Sequence, residues 1–233
     1  MDIRKIQMTG GSSYVLSLPK NWVRELGIKK NDPIGVVSRP DGTLLITPNI
    51  HYDNAAKVKE FSLKNYYDPD SLLRSLIGAY ISGFTIIKIT SAVRISPKVR
   101  QVVRNFTQMT IGQEVADETD TVIILKDILN PAEMPFGNTI RRMYVIVKSM
   151  HEDALSALEQ GKRELAEEVA SRDTDVDRLH WLIHRQFSLI TDNPSLALKM
   201  EITPREASTY YQISRIMERI GDHAVMIAES VLV

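Results

Sequence analysis

The sequence contains no cysteine among its 233 residues, and this absence limits the chemistry open to it. Without cysteine there is neither a disulfide nor a thiolate metal site, so any bound metal would need oxygen or imidazole ligands. The chain also lacks an apolar run of membrane-spanning length, and "MDIRKIQMTG" has no apolar core of a secretory signal. These absences predict a cytoplasmic protein with no membrane insertion.

The formal net charge is zero, but the charges are unevenly distributed. Residues 1–50 carry seven Lys/Arg against four Asp/Glu, whereas residues 138–233 carry twelve against fifteen. A basic first part and an acidic last part favour different partners, a polyanion for one and a cation for the other. The length allows one large domain or two to three small ones.

The first twenty-seven residues predict a β-hairpin and a short helix. Ile3–Met8 and Tyr14–Leu18 alternate with the period of two that half-buried strands show. Ser17 is a candidate N-cap, Pro19 suits the first helical turn, and Gly27 suits the position just past the helix end.

A second hairpin follows, with strands near 34–38 and 43–47 around the turn Pro40-Asp41-Gly42. Fifty residues that form two hairpins and one short helix are too few to bury a core alone. The strings "GGSS", "LSLPKNWVRELGI" and "DPIGVVSRPDGTLLITP" resemble the AbrB/MazE/SpoVT family of swapped-hairpin DNA-binding domains. The resemblance implies that two chains interleave their hairpins into one small β-barrel. Asn31 stands where the family usually has glycine, and asparagine tolerates the left-handed conformation that a turn needs there.

The same resemblance implies DNA as a partner and indicates which side chains would touch it. Cations would contact phosphates or bases, and hydroxyls would act as neutral donors. The candidates are Arg4, Lys5, Ser12, Ser13, Lys20 and Arg24. The alternative is that these residues form ordinary solvated faces and that the domain serves only dimerisation.

Residues 51–137 predict a linker followed by a small α/β unit. The stretch "NIHYDNAAKVKEF" is polar and weakly periodic, which is typical of a linker. A helix capped by Asp70-Ser71 and ending at Gly83 precedes the strand "TIIKIT", a helix with Pro97 in its first turn, and the strand pair "EVADE" and "TVIILKD". No phosphate-binding loop or nucleophile arrangement is present, so we expect a spacer or dimerisation role.

Residues 138–233 predict three long helices, at roughly 139–160, 162–191 and 195–231. Gly161 separates the first two, and Asp192-Asn193-Pro194 separates the last two. Short connections between long amphipathic helices favour an antiparallel bundle. The last helix carries apolar residues at helical spacing, which predict one buried stripe: Ile213, Ile216, Met217, Ile220, Ala224 and Ile227. This stripe clusters near Ile213, which places Glu218 and Asp222 on the opposite side.

Two acidic pairs at i, i+4 spacing are the candidate metal ligands. Asp173 and Asp177 lie on the middle helix, and Glu218 and Asp222 on the last. Two adjacent like charges destabilise a helix unless something neutralises them, and together four carboxylates suit a hard cation. His180 and His184 fall on the same side as the first pair and would shift the preference toward iron, zinc or manganese. The alternative is a solvated face neutralised by neighbouring arginines.

"DTDVDRL" and "IMERIGDHAVMIAESV" resemble the PhoU family, the helical regulators of phosphate uptake, over about residues 138–233. The resemblance implies that both acidic pairs bind a divalent or trivalent metal, iron or zinc first, with manganese or magnesium as further candidates. The two histidines stand outside the family motif. Typical members contain two three-helix repeats, whereas this chain has room for one, so a two-fold homodimer would supply the second.

Together these features predict a multi-domain α+β regulator with domains at 1–50, 51–137 and 138–233. The parts are a dimeric swapped-hairpin β-barrel, an α/β middle unit and a three-helix PhoU-like bundle. The alternative function is an adaptor that binds a phosphate transporter or its sensor kinase without binding DNA. An enzyme is not expected, because no nucleophile–base arrangement exists and because Glu218 and Asp222 face away from the predicted core.

Overall fold

The structure, a computed structural model, describes residues 3–38, 42–48, 56–63 and 68–232. The chain divides into two compact units, Met1–Asn54 and Ala55–Val233. The domain boundaries after residues 50 and 137 stay predictions. Within the described residues, no helix combines the length and the apolar character that crossing a bilayer requires.

The first unit contains two hairpins and one short helix. Its elements are β1 Gln7–Thr9, β2 Ser13–Val15, α1 Lys20–Glu25, β3 Gly35–Ser38 and β4 Leu44–Thr47. Strand β1 pairs only with β2, and β3 only with β4, both antiparallel. The described residues of one chain therefore form no closed barrel, and the interleaved barrel stays a prediction about two chains.

The sequence predicted the turns of this unit correctly and the start of its helix less well. Pro19, rather than Ser17, occupies the N-cap of α1, and no side chain caps that end. Gly27 adopts φ +64 after the helix, and Asn31 adopts φ 72, as expected for left-handed positions. Of the predicted turn at 40–42, Gly42 has φ +80, whereas Pro40 and Asp41 lie outside the described residues.

The described residues of the first unit form no core of their own. None of its described residues is buried, and both β1 and β2 are exposed along their whole length. Ile3, Ile6 and Tyr14 are 84%, 67% and 76% exposed. The expectation of half-buried strands was wrong for the single chain, because the unit offers nothing against which they could pack.

The second unit begins with a four-stranded sheet and two helices. Its elements are β5 Val58–Leu63, α2 Pro69–Ile81, β6 Ile86–Ser91, α3 Pro97–Met109, β7 Gln113–Glu118 and β8 Val122–Asp127. The strand order is β5-β6-β8-β7, with β5 parallel to β6 and the other two pairs antiparallel. Ile87, Ile89, Ile123 and Leu125 pack with residues of α2 and α3 into one buried cluster. The α/β unit predicted from the sequence is therefore present.

Two details of this sheet differ from the prediction. Strand β5 begins inside the stretch predicted to be a linker and ends two residues beyond it. It was missed because only Phe61 and Leu63 of this edge strand are partly buried and its pattern does not alternate cleanly. Asp68 caps α2, accepting a hydrogen bond from the Ser71 amide at 3.0 Å, and Pro69 follows as the first helical residue. The predicted cap at Asp70-Ser71 was two residues late.

The rest of the second unit is helical. After a 3-10 turn at Pro131–Glu133 come α4 Phe136–Gln160, α5 Arg163–Asp192, α6 Pro194–Lys199 and α7 Pro204–Leu232. Contacts between the three long helices place α5 antiparallel to both α4 and α7. Gly161 has φ +63 and ends α4, and Asn193 separates α5 from α6, as the sequence predicted.

The last predicted helix is in fact two, so the helical region has four helices rather than three. Glu201 adopts φ 50 after α6, and α7 begins after Thr203. Thr203 and Glu206 cap each other: the Thr203 amide donates to the Glu206 carboxylate at 2.9 Å, and the Glu206 amide donates to the Thr203 hydroxyl at 3.2 Å. The Thr203 amide and hydroxyl both donate to the Glu206 carboxylate, and these two hydrogen bonds lower the pKa of Glu206.

The buried face of α7 also differs from the prediction. Small residues form it: Ala207, Ser214, Gly221 and Ala228 at seven-residue spacing, together with Ala224, which was predicted to be buried. Ile216 and Ile220, predicted to be buried, are 60% and 40% exposed. The helix is rotated relative to the predicted stripe because small residues let α7 approach α5 closely.

Helix α5 joins the helical region to the sheet. The Arg185 side chain is buried, pairs with Asp127 at the end of β8, donates to the Tyr80 carbonyl and lies 4.8 Å over the Tyr80 ring. Gln186 donates to the carbonyls of Pro131 and Met134 at 3.0 and 2.7 Å. The sheet and the helices therefore share one compact unit.

Candidate metal centre and nucleic-acid interface

The four predicted acidic residues lie near one another where α7 packs on α5 at Gly221. A Cβ placed on Gly221 would lie 3.6 Å from Asp173 Oδ1 and 3.6 Å from a Val176 methyl, so only a small residue keeps this separation. The Asp173 Oδ1 atom is buried and has no hydrogen-bond partner among the described residues. Glu218 is half-buried and Asp222 is exposed. Glu218 is therefore closer to the core than expected, whereas the exposure of Asp222 agrees with the expectation that it faces away from the core.

The proximity of these carboxylates changes their acidity. Burial raises the pKa of Asp177 to about 7, and the charges of Asp173, Glu218 and Asp222 contribute to the same rise. Burial and the Asp222 charge raise the pKa of Asp173, and the same two causes lead for Glu218. Side chains from two helices repel one another here, so the site favours anything that brings positive charge.

Neighbouring arginines do not neutralise the cluster by direct pairing. Arg172 pairs with Asp153 at 2.6 Å, and Arg178 pairs with Asp175 at 3.9 Å. Within the described part of the chain, no Lys or Arg forms an ion pair with any of the four carboxylates. Arg219 and Arg215 lower the pKa of Glu218, but less than burial and the acidic neighbours raise it.

The two histidines are engaged in packing. Ser214 donates its hydroxyl proton to the Tyr211 carbonyl at 2.8 Å, so it accepts from His180 Nδ1 at 3.0 Å. Burial lowers the pKa of His180 to about 4, which keeps the ring neutral at pH 7. The His184 ring lies 4.4 Å from the Tyr211 ring, and burial lowers its pKa as well, with Arg215 as its charged neighbour.

The residues fit a hard cation in charge and location. Four carboxylates from two helices, one of which has an unpartnered buried oxygen, form an oxygen-rich donor set of the kind that Mg²⁺, Mn²⁺ and iron prefer. Across the described ranges, no three His, Asp or Glu side chains stand in metal-holding geometry as they are. The exposed side chain of Asp222 would have to turn inward, together with Glu218, to complete such a site.

The predicted nucleic-acid contacts all lie on the surface of the first unit. Arg4 precedes β1 and donates to the Ser17 hydroxyl at 3.5 Å, next to the start of α1. Lys20 and Arg24 lie one turn apart on α1. The remaining candidates, Lys5, Ser12 and Ser13, are exposed on or beside the first hairpin.

Sequence reasoning missed two features that shape the site. The seven-residue series of small residues on α7 is readable in the sequence and indicates close helix packing. The capping box at Thr203–Glu206, followed through Pro204 by a long helix, is a standard start signal and would have separated α6 from α7. The Arg185–Asp127 ion pair has no such signal, since its partners are distant in sequence.

Comparison with known families agrees with this architecture at both ends of the chain. Residues 7–51 match the family of the antidote-toxin recognition MazE, a bacterial antitoxin, and residues 140–231 match the PhoU domain. The chain joins a MazE-type domain to a PhoU domain. No significant match was found among curated proteins or among solved structures.

The two matches place the candidate residues differently. All four carboxylates and both histidines lie inside the PhoU domain. Ser12, Ser13, Lys20 and Arg24 lie inside the MazE-type domain, whereas Arg4 and Lys5 precede the matched residues. Both families are regulatory, and neither is enzymatic. The middle sheet lies between the two matches.

Proposed function

We propose that this protein is a homodimeric cytoplasmic regulator of the PhoU type, acting in phosphate uptake, with a DNA-binding first unit and a metal-binding PhoU domain. The observation that supports it best is the meeting of Asp173, Asp177 and Glu218 across α5 and α7 with raised pKa values. A cation would relieve this repulsion and fix the two helices relative to each other.

Asp173, Asp177, Glu218 and Asp222 would hold the metal, with iron or zinc as first candidates and manganese or magnesium as others. The metal would supply positive charge at the contact between two long helices. The chain would supply the donor oxygens and, at Gly221, the close approach. His180 and His184 would serve as packing residues beside the site, given their contacts with Ser214 and Tyr211.

The exposed apolar surface of the first unit supports the dimer. A unit with no buried residue among those described cannot be stable by its own packing. A second copy would cover Ile3, Ile6 and Tyr14, as the dimeric character of MazE-type domains suggests. The dimer would carry two sets of the basic residues and present them along one DNA site.

Elemental analysis of protein purified without chelator tests the metal site. We expect iron, zinc or manganese near stoichiometry in the wild type and its loss in a Glu218→Ala/Asp222→Ala variant. Glu164→Ala/Glu168→Ala is the matched control, because both residues are exposed and one turn apart on α5. If the wild type holds no metal even after reconstitution, the proposal that the four carboxylates bind a metal is wrong.

The salt dependence of DNA affinity tests the first unit. Each neutralised phosphate adds about −0.9 to the slope of log K against log salt, so removing the Arg4 charge should flatten the slope by about one if Arg4 neutralises one phosphate. Arg4→Ala should weaken binding, whereas Lys29→Ala, an exposed cation of the same unit, should not. An unchanged affinity would remove Arg4 from the interface.

The alternative function is an adaptor that binds a phosphate transporter or its sensor kinase, with the first unit serving only dimerisation. The exposed apolar strands are consistent with the adaptor, since a second copy of the chain is enough to cover them and DNA is not needed for that. Selection from a random DNA library decides between the two. Enrichment of one sequence supports the DNA-binding regulator, and no enrichment at low salt supports the adaptor.

A further inference from the structure

The outer face of α4 carries exposed residues at the spacing of a coiled-coil seam. At about 100° per residue, one sector of about 80° points away from the buried side formed by Met143, Val147 and Met150. The residues of this sector follow each other at intervals of four and three. They are Arg141, Val145, Lys148, Glu152, Leu155 and Glu159, and all are exposed.

The chemistry of this face is symmetric about position 150. Along the helix it is positive, apolar, positive, negative, apolar, negative. Lys148 and Glu152 lie equally far from residue 150, and so do Val145 and Leu155. Arg141 and Glu159 form the outermost pair. A face with this symmetry is complementary to its own antiparallel copy, because every charge meets its opposite and the two apolar residues meet each other.

We propose that this face of α4 pairs with the same face of a second copy, as an antiparallel two-helix coiled coil whose two-fold axis passes level with Met150. Val145 would pack on the partner's Leu155, and Lys148 and Arg141 would meet the partner's Glu152 and Glu159. A four-three spacing of contacts is the one that two helices crossing at about 20° maintain.

Exposed apolar residues beside the seam fit the same arrangement. Tyr144 and Leu158 are 55% and 50% exposed on one flank of the face, and they too lie almost symmetrically about residue 150. In the proposed dimer each would cover the other across the two-fold axis. At the basic end, Arg141, Arg142 and Val145 line a shallow open depression that can receive the partner's Leu155.

A second copy fits this face better than an unrelated partner does. A foreign helix would need the reverse charge order to match it, whereas this chain already provides that order. Four of the six seam residues are charged, so the pair would be weak alone. The inference therefore rests on the homodimer proposed above: once the first units associate, the two α4 helices meet at an effective concentration in the millimolar range.

Cysteine cross-linking of the full chain tests the pairing, and the absence of native cysteine makes every engineered thiol unique. We expect Val145→Cys/Leu155→Cys to give covalent dimer on mild oxidation, since each thiol would face the other residue of the partner within disulfide reach. The two sites lie about 15 Å apart on one helix, so they cannot join within a chain. Each single variant should give little cross-linked dimer, because its thiol would lie about 15 Å along the seam from the same thiol of the partner.

A matched control uses the same ten-residue spacing on another helix. Ile216 and Met226 of α7 are 60% and 65% exposed, so Ile216→Cys/Met226→Cys measures random collision. A tenfold excess of cross-linked Val145→Cys/Leu155→Cys over the control would support the pairing. Equal yields, or efficient cross-linking of either single variant, would overturn it.

The mass of the uncross-linked chain in solution separates this inference from the proposed function. A dimeric chain whose Val145→Cys/Leu155→Cys variant fails to cross-link would overturn the α4 pairing and leave the dimer of the first units intact. A monomeric chain at micromolar concentration would overturn both.

Discussion

Replacing Asp177 by asparagine should stabilise the metal-free protein at pH 8. Burial and three neighbouring carboxylates raise the pKa of Asp177 to about 7 in the folded chain, against 3.8 for an ordinary aspartate. Between pH 3.8 and about pH 7, the folded state therefore keeps a proton on Asp177 that the unfolded state has released. Stability falls as the pH rises through this window, and the whole cost is present above pH 7. Asparagine has a similar shape and removes the charge.

The magnitude follows from the two pKa values. Their difference corresponds to a ceiling of about 4 kcal/mol at pH 8, from about 1.4 kcal/mol for each pKa unit. Asp177 is only partly buried, so solvent screening reduces this to about 1–2 kcal/mol. For a unit of this size, that gain raises the midpoint of thermal unfolding by roughly 3–6 °C.

Thermal unfolding in the presence of chelator measures the effect, at pH 8 and at pH 5. At pH 5 the wild-type side chain is largely protonated in the folded state, so the gain from Asp177→Asn should be well below the gain at pH 8. Asp175→Asn is the control, because Asp175 lies on the exposed side of the same helix beside Arg178. A midpoint that falls at pH 8, or rises equally at both values, would refute the argument that the carboxylates repel one another.

Three further predictions concern the second unit. Arg185→Met should destabilise it by about 3 kcal/mol or more because Asp127 stays buried without its partner, and adding Asp127→Leu should recover part of this destabilisation in urea unfolding. Gly112→Ala should destabilise by about 2 kcal/mol, since φ is +89 and the new methyl would lie 2.5 Å from Leu129 Cβ. Gly78→Ala, with open space on helix α2, should stabilise by about 0.5–1 kcal/mol in the same assay. An equal change in unfolding free energy for Gly112→Ala and Gly78→Ala would contradict both explanations.

The sequence predicted the elements whose signals are local. Gly27, Gly83 and Gly161 end helices with positive φ where the pattern placed them, and Asn193, within the predicted break, caps the start of α6. These positions depend on backbone geometry within a few residues, so no distant contact is needed to predict them. The edge strand β5 was missed because it packs on one side only, and its pattern resembles that of a polar linker.

The metal ligands stay a prediction, whereas the orientation of α7 was predicted wrongly. Hydropathy placed the large residues Ile216 and Ile220 in the core of α7, because a large apolar side chain normally contributes most to burial. Packing selected the small residues of the same helix instead, since close approach to α5 needs small side chains along the contact. An average over residue hydrophobicity does not include this preference.

Gly221 connects the fold of α7 to the chemistry of the site. It stands one residue from Asp222 and three from Glu218, at the point where α7 lies against Asp173 and Val176. A larger residue would push the helices apart, separate the acidic pairs and reduce the repulsion that raises the pKa of Asp177. The same close approach turns Ile216 and Ile220 outward. Two destabilising features, the exposed apolar surface and the repulsion between carboxylates, therefore occur together at this helix contact. Such a concentration of unfavourable features at one place is what a cation-binding site would require.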